Sequence, residues 1–511
     1  MKNPLWRSLI RNLAVFQFYF LMPFPYFYFQ ISMKMKILFK YTLVGLIAVT
    51  ALSSCFKDND DVFAGTSEIN NFIYKGMNAF YLYKADVDVL SNDRFANLQE
   101  LEGYHSQFDS PESFFESLVF DRPRTDRFSV IFDDYVALEN ILAGNTLNNG
   151  MKFGLVGETG SAADVFGYVR YVQPNTSAER ENVERGMIFN SINGIRLSRD
   201  NFNALLAQNT YTIGLADLNA GVTTSNGLEI TLTKEVVQEN PILVTEVFNQ
   251  GAQKIGYLMY TGFLSQFDEQ LNGVFADFRA QGVTHLVLDL RYNGGGSVTT
   301  AIILGSLISG NPITDVYSRE EWNPEIQAQL QTNTPEQLVN FFKNQTNSGS
   351  SLNTLDLNQV HIITTGSSAS ASELVINSLD PYINVVQVGD DTAGKFQASI
   401  TLYDSPDFRR SGANPAHRYA MQPLVLKSLN SVGNTDYFDG LVPDIAQNED
   451  FENLGILGDV NEPLLARCLD DILLNGRSSR SSLPTVSYDE IIGSNELEPF
   501  GNQMWKESRH Q

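Results

Sequence analysis

Four serines crowd one turn of this chain, and a lysine follows them. Ser367, Ser368, Ser370 and Ser372 fall where the apolar run Val360-His-Ile-Ile-Thr-Thr365 gives way to the helically spaced run Ala371-Ser-Glu-Leu-Val-Ile-Asn-Ser-Leu379. That order reads as strand, small-residue turn and helix. Lys395 ends Gly389-Asp-Asp-Thr-Ala-Gly-Lys395, after a further predicted strand over Asn384–Val388. A serine hydroxyl becomes a nucleophile when a neighbouring base takes its proton, and lysine can be that base once burial lowers its pKa from about 10.4. A histidine-based triad does not suggest itself. The five histidines are His105, His285, His361, His417 and His510, and no G-x-S-x-G elbow is present. His285 and His361 begin apolar strands, where packing accounts for them. Ser370-Ala-Ser-Glu373 also fits an S-x-x-E capping box, so helix capping and nucleophilic catalysis both account for Ser370 at this level. An exposed loop lysine is the corresponding alternative for Lys395.

These groups need a scaffold that gathers them. His285-Leu-Val-Leu-Asp-Leu290 is another short apolar run, followed by Arg291-Tyr-Asn293, the turn Gly294-Gly-Gly-Ser297 and a helical stretch from Val298 to Ile308. Two strand–turn–helix units thus bring two helix N-termini and a lysine to one sheet edge. Gly295 allows the backbone to approach a bound group with no side chain in the way. A phosphate-binding loop is the other reading of the glycine turn, but neither G-K-[ST] nor a complete G-x-G-x-x-G occurs.

The length of 511 residues suggests two or three domains, and 43% hydrophobic with 18% charged residues indicates a globular chain. The formal net charge is −24, although residues 1–54 carry only basic charges, so the remainder is more acidic still. Such a surface repels nucleic acid and anionic headgroups, and no nucleic-acid partner is expected. Residues 1–54 read as a signal region, with translation starting at Met33 or Met35. Lys34, Lys36 and Lys40 supply charge, Tyr41–Leu52 is an apolar run, and Leu52-Ser-Ser-Cys55 closes it. This resembles a bacterial lipoprotein signal, which implies lipidation at Cys55, a tether over 55–65 and a membrane-anchored cell-envelope lipoprotein on the outer membrane, at its periplasmic face or the cell surface. Cys468 is the one other cysteine, so no disulfide framework is expected in the mature chain.

Along the chain, residues 66–145 read as a helical domain. Ile69, Phe72, Ile73, Met77, Phe80 and Tyr81 share one helix face, and Ser110-Pro111-Glu112 begins a second helix that buries Phe114, Phe115 and Leu118. Residues 150–238 change to short strands and turns. They resemble a PDZ domain, in which Phe153-Gly-Leu-Val156 would hold a peptide on backbone N–H groups as an added strand; a generic small β domain is the alternative. Residues 250–475 return to an α/β pattern, with polar interruptions at 311–357 and 405–417 and a closing helix over Glu462–Leu474. Residues 477–511 are rich in serine, charge and turn formers and are expected to be a flexible tail.

Ser368-Ala-Ser-Ala-Ser-Glu373, Gly394-Lys395 and Leu288-Asp-Leu-Arg-Tyr-Asn-Gly-Gly-Gly296 together resemble the signature of the carboxyl-terminal processing peptidases, or tail-specific proteases. The resemblance extends over roughly residues 66–475, including Asn70-Asn-Phe-Ile73 and Asp126-Arg-Phe-Ser129. It implies a crotonase-like α/β core carrying an N-terminal helical domain and an inserted PDZ-like β domain. It further implies Ser370 as nucleophile, Lys395 as general base, and the backbone N–H groups of Gly295 and Ala371 as oxyanion donors. No metal or organic cofactor is implied. The expected substrates are proteins or peptides with free, apolar C-terminal tails. A glutamine that often orients the family's lysine would fall at Ser399, whereas the glutamine here is Gln397. An extended chain puts 395, 397 and 399 on one face, so either could contact the lysine. A non-catalytic relative that binds peptides or apolar ligands on the same fold, and acyl-CoA chemistry on a similar core, are the rival expectations.

Overall fold

The computed structural model describes residues 65–122, 124–251, 253–474, 488–498 and 501–507. The expected signal region, the tether and Cys55 lie outside the described residues.

The first helix, α1 (Thr66–Phe80), buries Ile69, Phe72, Ile73 and Met77, as its spacing predicts. In α2 (Pro111–Ser117) the Ser110 hydroxyl accepts from the Ser113 N–H at 3.1 Å, and proline takes the first helical position, where a missing N–H costs nothing. These helices do not close a core of their own. Their buried residues continue into Leu402, Met421 and Leu424 from much later in the chain. Apolar periodicity gives a helix its buried face but not the element that covers it.

An antiparallel sheet follows, built from β1 (Met151–Gly157), β2 (Val165–Val172), β3 (Ile188–Ile192), β4 (Thr210–Asn219) and β5 (Val222–Thr233), with the short helix α3 (Phe202–Leu206) packed beside it. Phe153, Leu155, Val169, Phe189 and Ile213 supply its apolar layer.

The main sheet begins with the antiparallel pair β6 (Ile242–Gln250) and β7 (Gln253–Tyr260) and continues in parallel through β8 (His285–Asp289), β9 (Gln359–Thr364) and β10 (Asn384–Gly389). The helices α4 (Asp268–Gln281), α5 (Val298–Ser309) and α6 (Ala371–Leu379) connect or flank these strands. From Val298 to Ile308 only Thr299 escapes full burial in α5, and that explains its apolar sequence on every side. A second sheet places β11 (Gln397–Ser399) against β12 (Leu424–Leu429). Helix α7 (Pro463–Leu474) closes the main sheet, burying Leu465, Cys468 and Ile472.

Two expectations are corrected. The polar stretch 311–357 contains a strand, β13 (Val316–Trp322), paired with β12, and its buried Glu320 is satisfied by Lys506 Nζ at 2.6 Å. Charge in the sequence hid a strand whose one buried charge, Glu320, is paired. The expected flexible tail is partly structured: β14 (Glu490–Gly493) joins β1, and β15 (Met504–Trp505) joins β11. Its serine, charge and turn composition disguised backbone groups that complete two sheet edges. Residues 475–487 and 508–511 lie outside the described residues.

Candidate active site

Register places the site at one end of the main sheet. Asp289 of β8 lies opposite Ile363 of β9, and Thr364 lies opposite Gly389 of β10, so the loops that leave these three strands emerge side by side. The carboxyl ends of parallel strands are where open α/β sheets gather binding groups. The loop after β8 is pinned from below. Arg291, fully buried, meets Asp289 at 2.8 Å, Glu462 at 2.6 Å and Glu449 at 3.1 Å, which accounts for charged residues inside an otherwise apolar run.

Ser370 stands at the N-cap position of α6 with φ 69° and ψ −114°. Such a conformation costs a non-glycine residue on the order of 1–3 kcal/mol and persists only when its surroundings enforce it. Glu373 enforces it here. Its Oε2 accepts from the N–H of Ser370 at 2.6 Å and from the N–H of Lys395 at 2.9 Å, while Oε1 accepts from Gly394 N at 2.8 Å and Thr392 Oγ1 at 2.5 Å. One buried carboxylate thus ties the serine turn to the lysine loop, and burial pushes its pKa up to about 7 despite these four donors. Only the glutamate half of the expected capping box is used. The Ser370 hydroxyl is buried and has no hydrogen-bond partner among the described residues.

Lys395 is fully buried. Burial holds its pKa well below the ordinary lysine value, outweighing the attraction of Asp126 and Glu373. Its Nζ lies 4.2 Å from the centre of the Phe128 ring and donates to the carbonyl of Asn502 at 2.8 Å and to Gln503 Oε1 at 2.6 Å. The Phe128 segment is itself fixed by Asp126, which accepts from the N–H groups of Phe128 at 3.0 Å and Ser129 at 2.8 Å and from Tyr81 Oη at 2.7 Å. Gln397 donates to Tyr83 Oη at 2.9 Å, and Ser399 Oγ donates to Gln422 Oε1 at 2.8 Å. Neither is hydrogen-bonded to Lys395 Nζ.

Gly295 closes the cleft opposite Ser370, with φ 115°. A methyl group there would fall 2.6 Å from Ser370 Cβ and 2.9 Å from the Gln503 carbonyl oxygen, so only glycine fits. Its N–H donates to Asn293 Oδ1 at 2.9 Å. Ala371 occupies the first position of α6, where the N–H has no acceptor within the helix. The two expected oxyanion donors therefore flank Ser370. Phe153, Gly154, Leu155 and Val156 all lie on β1, whose outer edge carries β14.

Three residues of the site escaped the sequence reading of individual roles: Asp126, Phe128 and Gln503. The first two sit within the quoted motif Asp126–Ser129, so a signal existed. Gln503 carried none.

Residues 254–445 match the profile of Peptidase family S41, and residues 68–130 match the Peptidase S41 N-terminal domain. A chloroplastic C-terminal processing peptidase from Tetradesmus obliquus is 29% identical over 206 residues, which cover 36% of this chain and 44% of that relative. The chain thus spans less than half the length of that curated relative. A crystal structure described as an S41 protease, from Bacteroides fragilis NCTC 9343, shares the fold with a TM-score of 0.60 at 23% identity, covering 80% of this chain and 98% of the other. The photosystem II D1 C-terminal processing protease is more distant, with a TM-score of 0.47 at 17% identity over 79% of this chain and 97% of its own. The strand–turn–helix pair and its serine, lysine and glycine all lie inside the residues that match Peptidase family S41.

Proposed function

We propose that this chain is a serine endopeptidase that cleaves proteins or peptides near apolar C-terminal tails through a Ser370/Lys395 dyad. The observation that carries the reading is the buried Lys395, which has no carboxylate hydrogen-bonded to its amino group and shares Glu373 Oε2 with Ser370 through backbone N–H groups. A neutral amine in that position accepts the Ser370 proton as Oγ attacks the scissile carbonyl carbon. The negative charge that develops on the carbonyl oxygen is met by the N–H groups of Gly295 and Ala371, and for Gly295 this requires release from Asn293 Oδ1. Collapse of the tetrahedral species breaks the C–N bond. The lysine returns its proton to the leaving amine, and water, deprotonated by the same lysine, hydrolyses the Ser370 ester.

In this reading the sheet over residues 151–233 is a PDZ-like module that captures a peptide along β1, the core is crotonase-like, and a lipid on Cys55 tethers the enzyme to the cell envelope. The test is mass spectrometry of an unfolded protein with a free apolar C-terminus, incubated with the purified chain or with its Ser370→Ala and Lys395→Ala variants. Cleavage by the unaltered chain alone is expected. Equal cleavage by all three would sink the dyad, and none by any folded form would favour a peptide-binding role.

A further inference from the structure

The places a captured peptide would need are already filled by this chain. Residues 490–493 add to β1 as an antiparallel strand, with Ile492 opposite Leu155 and Gly493 opposite Gly154, and the Phe153 N–H donates to Ser494 Oγ at 3.1 Å. Ile491, Ile492 and Leu497 pack onto the same apolar layer as Phe153 and Leu155. Charges match as well. Asp489 meets Arg199 at 2.5 Å, Glu490 meets Arg170, and Glu498 meets Lys152 at 2.8 Å. Arg170 and Lys152 are 1% and 3% exposed, so Glu490 and Glu498 face buried cations, whereas the Asp489–Arg199 pair is open to solvent.

Further along, the segment crosses the catalytic cleft. Gln503 stacks its backbone carbonyl beside Gly295 and Ser370, and its side chain spans the site, with Oε1 on Lys395 Nζ and Nε2 on the Phe128 carbonyl at 2.9 Å. Beyond it, β15 runs parallel to Gly296–Ser297 and to β11, and the Lys506 N–H donates to the Ser399 carbonyl at 3.0 Å. The chain therefore passes the nucleophile as a substrate would. Three features show that it is held rather than poised for cutting. Lys395 bonds to this segment and not to Ser370, the Ser370 hydroxyl has no partner among the described residues, and the Gly295 N–H is taken by Asn293.

We propose that residues 488–498 and 501–507 act as an intramolecular ligand that occupies the β1 groove and the Ser370 cleft together and excludes other peptides until it is displaced. What is excluded, a peptide awaiting cleavage, rests on the proposed peptidase reading; the occupancy does not. The test uses the full chain in a Ser370→Ala background, with and without Glu490→Lys and Glu498→Lys, and a fluorescent peptide of the sequence 488–507 as probe. The charge reversals set the segment against Arg170 and Lys152 and should free the site for the unaltered probe. Expected are at least tenfold tighter probe binding in the reversed chain and, in the parent, slow amide hydrogen exchange at 490–493 and 504–505. Equal probe binding in a reversed chain whose segment is released would overturn the proposal. Fast exchange of those amides in the parent would also overturn it, and that measurement depends on no variant folding. With Ser370 restored, the reversals should raise turnover of an apolar-tailed unfolded protein at least tenfold. A self-cleaved product ending at Gln503 would make the segment a substrate and sink the proposal. Absence of turnover in every chain, with probe binding as expected, would count against the peptidase reading and uphold the ligand.

Discussion

Lys395 Nζ donates to Gln503 Oε1 at 2.6 Å, so the amine at the heart of the site is bonded to a neutral amide. Its second hydrogen bond, to the Asn502 carbonyl, is likewise uncharged. With no carboxylate hydrogen-bonded to it, burial disfavours the ammonium form and holds the lysine well below its ordinary pKa. Lys395→Arg should therefore be as inactive as Lys395→Ala, because a guanidinium keeps its proton. Losses of about 10³-fold or more in kcat are expected for both, with KM little changed. Steady-state kinetics on a quenched fluorescent peptide would check this, and retention of activity by the arginine variant would exclude a lysine base.

The acid limb of kcat/KM should report the same group. Activity should rise with pH as Lys395 loses its proton, with a midpoint below the ordinary lysine range. Stability carries the matching sign. Between its depressed folded pKa and about 10.4 the unfolded chain binds the extra proton, so this group's contribution to stability grows as pH rises through that window and is lost as pH falls through the folded value. Denaturant melts of the unaltered chain and of Lys395→Met across pH 6–10 should diverge in that direction. Parallel curves would mean that the lysine is charged in the fold.

Phe128 gives a sharper version. Its ring lies 4.2 Å from Lys395 Nζ and helps keep water from it. Phe128→Ala should admit water, raise the lysine pKa and move the acid limb of kcat/KM upward. A purely structural role for the ring would lower activity at every pH without moving that midpoint. The direction tests burial against the opposing attraction between ring and cation, which alone would predict a downward move.

The helices, the parallel strands and the serine and lysine turns were legible because each follows a local rule: period-3.6 burial, short apolar runs, or small residues at turns. The cover over Lys395 was not. Phe128 reaches it from the N-terminal region and Gln503 from the segment expected to be flexible, and neither has a periodicity that points at its target. Gln397, chosen from alternation along an extended chain, does share the lysine's strand neighbourhood, but its amide is used by Tyr83. Tertiary partners decide such contacts, and a single sequence does not encode them by spacing.

Glu373→Gln should separate positioning from chemistry. The glutamate offers two acceptor oxygens to four donors, and an amide would turn one of them into a donor facing N–H groups. A loss of about 1–3 kcal/mol in unfolding free energy is expected. Activity should fall in kcat more than in KM, because the two loops drift relative to each other while the peptide groove is untouched. Burial raises this carboxyl to about 7, so its own contribution favours folding below the ordinary 4.5 and fades as pH rises through 7. The glutamine variant should lack that slope; an unchanged pH–stability profile would show that the carboxylate is not protonated in the fold as its burial requires.

Gly295→Ala tests the cleft wall. The φ of 115° is one that alanine avoids, and the new methyl would lie 2.6 Å from Ser370 Cβ and 2.9 Å from the Gln503 carbonyl. Relief requires the Gly294–Gly296 turn or residues 501–505 to move. If the turn moves, the N–H at 295 leaves the place where an oxyanion would form, and kcat should drop by about 10²–10³. If residues 501–505 move instead, the clash with Ser370 Cβ remains, since Ser370 is held at the N-cap of α6, so the same loss should follow. Near-normal kcat with a folded protein would mean that the N–H of residue 295 plays no part in stabilising the oxyanion.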